Sequence, residues 1–438
     1  MAGQTLERPR VAIVGGGIAG MTTALGLQDR CDVVLFEGRE QLGGHILPHP
    51  VDDPRGQAAA VDTGFVVFVP ETYRQFTALA AWLGVEHAEA VTKFRITDEL
   101  RELSFPAADL LRLCGKRLPK ECRRDLLRLY QSLLRIRREG LGWIDNVSLR
   151  EWVTAQGYQT ETVELGVVPW VASFWGLQPQ TVLEVAAPVA LREITRNAGP
   201  NPMHRVVPST AGYLGAMVAR LDRTEVRHQL VERITTSEGP RVHGAGSEEA
   251  FDRVVVATDA IDARRLLVDA PATTHTLLEP FRYEPTVAVV HRDPRYLPED
   301  KAQWCTFHHR RRQDHDRTRS VTTWVLDLLH EWHTDPEAIG EPTLLTTGDR
   351  DLVDRELLDP AKTLAVYRHR HLVSTPAVLD AVKRLPQADE AQPFTLAGSY
   401  LRLGGLHEDA LVSGVRAADK VRNELGLSPF RWPWASPE

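Results

Sequence analysis

The stretch Arg10–His45, RVAIVGGGIAGMTTALGLQDRCDVVLFEGREQLGGH, decides the fold. Val11–Val14 is a short apolar run ending in Gly15-Gly16-Gly17-Ile18-Ala19-Gly20, and an alanine- and leucine-rich stretch of helical character follows. A second apolar run, Val33–Phe36, ends in Glu37. Strand, tight glycine turn, helix, strand and acid, in that order, make a dinucleotide-binding βαβ unit. Gly15 permits the sharp turn, Gly17 lets backbone N–H groups approach a pyrophosphate, and Gly20 lets helix and strand pack closely. The helix start at Ile18 and Ala19 then presents unpaired N–H groups and a positive dipole end to the phosphates. Glu37 lies 22 positions after Gly15, where a carboxylate accepts from ribose hydroxyls and repels a 2′-phosphate. A non-phosphorylated adenosine dinucleotide is the expected ligand, and the alternative is a glycine turn that holds none.

This unit alone does not separate NAD from FAD. Leu42-Gly43-Gly44-His45 favours FAD, because two glycines there bring another loop against the phosphates. Here the sequence resembles the flavin-containing amine oxidase and phytoene desaturase superfamily, whose members carry Gly-Gly-Arg or Gly-Gly-His at this point. Val61-Asp62-Thr63-Gly64-Phe65-Val66-Val67-Phe68 resembles a subgroup of predicted NAD(P)/FAD-binding oxidoreductases. The resemblance implies cofactor contacts from Gly38, Gly43, Gly44 and His45, and from Thr63, Gly64 and Phe65 beside the flavin ring. The plain reading of the latter run is a buried strand.

Composition narrows the function classes. Hydrophobic content of 43% with 25% charged residues is that of a globular protein. A net charge of −7 gives no overall nucleic-acid signature. Cys31, Cys114, Cys122 and Cys305 lack metal spacing and are read as reduced thiols in a cytoplasmic protein; no metal is expected. The opening MAGQTLERPR has no apolar signal core, and no apolar run approaches about 18 residues, so neither secretion nor membrane spanning is expected.

Residues 46–60 read as a loop or hairpin and Thr72–Leu83 as an amphipathic helix. From Arg101 to Arg138 eleven Lys or Arg face four acids, with leucines near helical spacing and a break at Pro119. This is either a solvated helix surface or a docking face for anionic lipid, a peripheral membrane contact, or for another acidic partner. The aromatic segment Val167–Gly176 is core or cavity wall. Trp304–His315 reads as a polar surface hairpin or loop, and His369-Arg370-His371 as equally suited to the surface.

Towards the C-terminus, Phe394–Ala397 is an apolar strand ending in Gly398-Ser399-Tyr400. A glycine loop follows, and a helix begins near Asp409. Such a helix aims N–H groups and a positive dipole end at whatever lies above the sheet. Order and spacing resemble the closing motif of the same superfamily, except that Ser399 stands where many amine oxidases carry an acid.

The resemblance covers nearly the whole chain. It implies an α/β fold: a Rossmann-like, glutathione-reductase-type FAD-binding domain with an α+β substrate domain of mixed sheet plus helices. The FAD domain is discontinuous, 1–95, 206–260 and 390–430. The substrate domain is 96–205 and 261–389, and 431–438 is a tail. Val231 would meet the adenine, Ala257 and Thr258 would lie near the pyrophosphate, and Gly398, Ser399, His407, Glu408, Asp409 and Ala410 would close the site. Hydride transfer from a C–H carbon to flavin would form C=C or C=N. Tyr400, Phe65 and Trp175 are the candidates to flank the ring, as wall more than reagent, and His407 either faces the ring or caps the helix. A lipophilic small molecule is the expected substrate. An amine, a redox-neutral isomerisation and a non-catalytic FAD scaffold are the alternatives. Oligomeric state is not legible.

Overall fold

Val11–Val14 enters a five-stranded parallel sheet because both of its faces are apolar. Ala12 and Val14 join one core with Val254 and Val256, whereas Val11 and Ile13 join another with Met21, Leu411 and Val421. A strand buried on both sides has no polar alternation, as parallel sheets require. Burying one such side chain contributes roughly 1.5–3 kcal/mol. The strand order is Phe394–Leu396, Arg253–Val256, Arg10–Val14, Asp32–Glu37 and Thr224–His228. Val11 registers with both Val33 and Arg253. The carboxyl ends at Val14, Val256 and Leu396 therefore lie side by side, and the turns that follow them meet at one edge. This computed structural model describes residues 8–197, 202–314, 317–388, 390 and 392–434.

A seven-stranded mixed sheet forms the second layer. Its order is Thr363–Leu372, Tyr283–His291, Leu344–Gly348, Arg317–Val325, Phe307–Asp314, Phe94–Asp98 and Leu103–Pro106. Only Phe307–Asp314 and Phe94–Asp98 run parallel. Helices between residues 121 and 197 pack around Leu129, Trp152, Val171, Trp175 and Leu191. Residues 46–60 carry the hairpin Pro48–Asp52/Ala58–Asp62.

Three expectations fail, each for a physical reason. The polar stretch Phe307–Asp314 is an interior strand, paired on both edges. Arg311 is buried there because Asp98, itself wholly buried, and Glu164 accept from its guanidinium at 2.9 and 2.7 Å. A buried charge persists only with such partners, and these come from distant segments; His315 lies outside the described residues. His369 is likewise buried, facing inward while Arg370 reaches out to Asp262 at 2.7 Å. The described part of the expected tail is packed: the Trp432 and Trp434 rings lie 5.1 Å apart, and Trp432 donates to Asp419 at 3.1 Å. Residues 435–438 lie outside the described chain.

Candidate active site

A cavity of about 630 Å³ opens where the carboxyl ends of the parallel strands face the seven-stranded sheet. Its first wall is the glycine turn. A Cβ on Gly20 would sit 1.9 Å from the Gly15 carbonyl oxygen, so only glycine lets the first helix, Ile18–Leu27, come this close to its strand. Gly17 caps that helix without any side-chain acceptor, leaving first-turn N–H groups to the cavity lined by Gly17, Ile18 and Ala19. Glu37 ends the second strand, and its carboxylate accepts from the Gly16 and Arg39 backbone N–H groups at 2.8 and 2.9 Å.

Two further loops close on this turn. Gly43 and Gly44 have φ of +126° and +62°, and the Gly43 N–H donates to the Gly16 carbonyl at 2.9 Å. Gly64 abuts His45 so tightly that a Cβ would meet its carbonyl at 2.0 Å. Thr63 donates to the Leu47 carbonyl at 2.6 Å. Behind it Asp62 accepts from the Thr210 amide and hydroxyl at 2.9 and 2.5 Å, while burial pushes its carboxyl up to about 7.

The C-terminal strand delivers Gly398, Ser399 and Tyr400, and the last helix, His407–Glu424, delivers His407 and Ala410. The His407 imidazole stacks on Phe65, with centroids 4.0 Å apart and planes at 16°, and hydrogen-bonds the Tyr213 hydroxyl at 3.2 Å. Burial lowers its pKa to about 3, so the ring is neutral. Tyr400 packs edge-on against Phe281.

The opposite wall is largely aromatic, with Arg368 and Arg370 at its border. Phe174, Trp175, Thr286, Trp324, His369 and His371 line it. The Trp175 indole is fixed by donation to the Gly404 carbonyl at 2.9 Å. His45 stacks on His369 at 4.9 Å, and His371 lies 2.8 Å from the Thr286 hydroxyl. Burial depresses all three imidazoles, His45 to about 4 and His369 to about 3. Among the described residues no three side chains of metal-ligating type converge as a metal site requires. The carboxylates on the cavity wall are Glu37, Asp259 and Asp262, and the last two bind Arg370.

Of the residues singled out in the sequence, Gly15, Gly17, Ile18, Ala19, Glu37, Gly38, Gly43, Gly44, His45, Thr63, Gly64, Phe65, Trp175, Val231, Ala257, Thr258, Gly398, Ser399, Tyr400, His407 and Ala410 all line this one cavity. Gly20, Glu408 and Asp409 do not. Gly20 is spent on helix packing. Glu408 turns away to accept from the Gln75 and Phe76 N–H groups, both at 2.9 Å, capping the helix Arg74–Leu83. Asp409 accepts from Arg402 at 3.0 Å and from the Leu406 N–H at 3.3 Å. The sequence reading missed Thr286 and Trp324 and left His369 and His371 to the surface. Strand alternation in Arg368-His369-Arg370-His371 was the available signal, since period two sets both histidines on one face.

Residues 13–83 match the NAD(P)-binding Rossmann-like domain family. A stretch of 74 residues is 35% identical to an uncharacterized protein of Acanthamoeba polyphaga mimivirus, spanning 16% of this chain and 15% of that protein. Among solved structures, cyclohexylamine oxidase from Brevibacterium oxydans superposes with a TM-score of 0.66 at 15% identity, covering 96% of this chain and all of that one. A CLA-producing fatty acid isomerase from P. acnes gives 0.68 at 13% identity, covering 95% and 98%. At such identities the likeness is one of fold.

Proposed function

We propose that this chain, which has the fold of the flavin amine oxidase-like superfamily, is an FAD-dependent oxidoreductase that takes hydride from a lipophilic small molecule. One observation carries the reading: a single cavity runs from the glycine turns and Glu37 to an aromatic wall, and its only carboxylates among the described residues are Glu37 and the Arg370-bound pair Asp259 and Asp262. The donor set fits FAD. Glu37 would hold the ribose hydroxyls, the N–H groups around Gly17 and Ile18 the pyrophosphate, and Val231 the adenine. Thr63, Gly64, Phe65, Gly398, Ser399 and His407 would hold the ring end. Bound flavin supplies a two-electron acceptor for hydride.

The rest falls to the chain's own residues. The last helix starts at the cavity with His407, and its first-turn N–H groups favour negative charge there although Asp409 accepts from the Leu406 N–H. Phe174, Trp175 and Trp324 exclude water and pack an apolar substrate. A protonated amine would want free acceptors or an aromatic cage; Asp259 and Asp262 are already bound to Arg370, and the aromatic wall keeps amine oxidation as the alternative. The fold likeness to the CLA-producing fatty acid isomerase supports a second reading, redox-neutral isomerisation, in which hydride leaves and returns.

Reconstitution with FAD followed by anaerobic mixing with unsaturated fatty acids, polyenes and amines separates these readings. Lasting loss of flavin absorbance with the lipophilic compounds is the expected result. A rearranged product without lasting bleaching assigns the isomerase, and bleaching by amines alone overturns the substrate class. A sample still colourless after excess FAD would falsify the cofactor.

A further inference from the structure

The helix Glu121–Glu139 takes no part in the cavity, and its outer face is unusual. Cys122, Asp125, Leu129 and Ile136 turn inward. At 3.6 residues per turn, Leu127, Tyr130 and Leu134 form one stripe on the opposite side. They are 49%, 57% and 39% exposed. A helix face meant only for water carries polar residues there.

Cations frame this stripe. Arg123 and Arg138 lie in line with it at its two ends, and Arg124 and Arg135 flank one side; all four are exposed. The linker before the helix adds exposed Lys116, Arg117 and Lys120. Arg123, Lys116 and Lys120 have no carboxylate partner among the described residues, whereas Arg124 pairs with Asp125, and Arg135 and Arg138 share Glu139. From Leu110 to Glu139 ten Lys or Arg stand against three acids, in a chain whose net charge is −7. The remainder of the chain is acidic, so an anionic surface would orient the molecule with this patch towards it.

We propose that this face docks on an anionic lipid surface, with Leu127, Tyr130 and Leu134 at the headgroup–acyl boundary and the arginines on lipid phosphates. The helix, 19 residues, is about 28 Å long, enough to lie along a lipid surface. Self-association through the same face would bring arginine rim against arginine rim. Among the described residues no helix is long and apolar enough to cross a membrane, so the contact is peripheral. This inference does not depend on the cofactor reading.

The test is flotation of the full chain with vesicles of phosphatidylcholine alone or mixed with phosphatidylglycerol. Binding to the mixed vesicles only, released by high salt, is expected. The triple variant L127S/Y130S/L134S should bind about tenfold more weakly with an unchanged thermal midpoint, and R123Q/R138Q should weaken binding in proportion to anionic lipid content. Three outcomes overturn the proposal: no binding to either vesicle, equal binding to both, or undiminished binding of the triple variant. A concentration-dependent dimer that the triple variant abolishes, or an acidic protein partner competing for the face without lipid binding, would also overturn it.

Discussion

His45 and His369 lie face to face, centroids 4.9 Å apart and planes at 21°, although 324 positions separate them in the chain. One belongs to the Gly-Gly-His loop beside the dinucleotide turn and the other to an edge strand of the mixed sheet. On the proposed FAD reading, the stack is where the nucleotide half of the cavity would meet the substrate half. Two cationic imidazoles would repel at this distance; burial keeps both neutral.

His369 is therefore expected to act on the substrate side. H369A should leave FAD retention within about twofold and lower kcat/KM by about ten- to a hundredfold, through a loosened wall. Flavin-to-protein ratio and the anaerobic reduction rate measure the two effects separately. Loss of FAD in step with activity would assign the histidine to the cofactor grip instead.

Glu37 carries the nucleotide assignment. Its carboxylate is already oriented by the Gly16 and Arg39 N–H groups, and hydrogen bonds to a charged group contribute about 1.5–3 kcal/mol. E37A should weaken FAD binding about ten- to a hundredfold, with E37Q in between. Fluorescence titration of the apoprotein is the measurement, and unchanged affinity would mean the ribose lies elsewhere.

The pattern of what the sequence disclosed is itself physical. The βαβ unit and the closing glycine turn were readable because local spacing alone sets their geometry. Arg311 and His309 were not, because whether a polar strand is surface or interior depends on Asp98 and Glu164, which only the folded sheet supplies. The resemblance of the closing motif set Glu408 beside the cofactor. Its true partner, the start of the helix Arg74–Leu83, comes from a different segment.

That partner yields a stability prediction. Glu408 satisfies two backbone N–H groups that would otherwise be orphaned, and burial raises its pKa. E408A should destabilise the protein by about 1–3 kcal/mol while leaving FAD affinity unchanged. Denaturant unfolding and FAD titration together check it. A selective loss of FAD binding would return Glu408 to the cofactor site.

Acid sensitivity should come from the interior of the mixed sheet as well as from the cavity, whose imidazoles burial lowers in the same direction. His308 and His309 are buried on the Phe307–Asp314 strand, and burial lowers both from the ordinary 6.5 to about 3. Arg95 and Arg310 press further on His308. Arg311 does so on His309, opposed by Asp98, and Thr322 offers His309 only a hydroxyl, 3.4 Å away. The unfolded chain takes up protons on both rings near pH 6.5 and the folded chain does not. The stability they contribute is thus present above pH 6.5 and lost as pH falls towards 3. Each ring should account for about 1.4 kcal/mol per pH unit across that window. In H308Q/H309Q the slope of unfolding free energy against pH should flatten by about twice that amount, whatever the variant's absolute stability. Denaturant unfolding from pH 7 to pH 4 measures it, and a slope equal to that of the unaltered protein would mean the two imidazoles are protonated in the folded sheet.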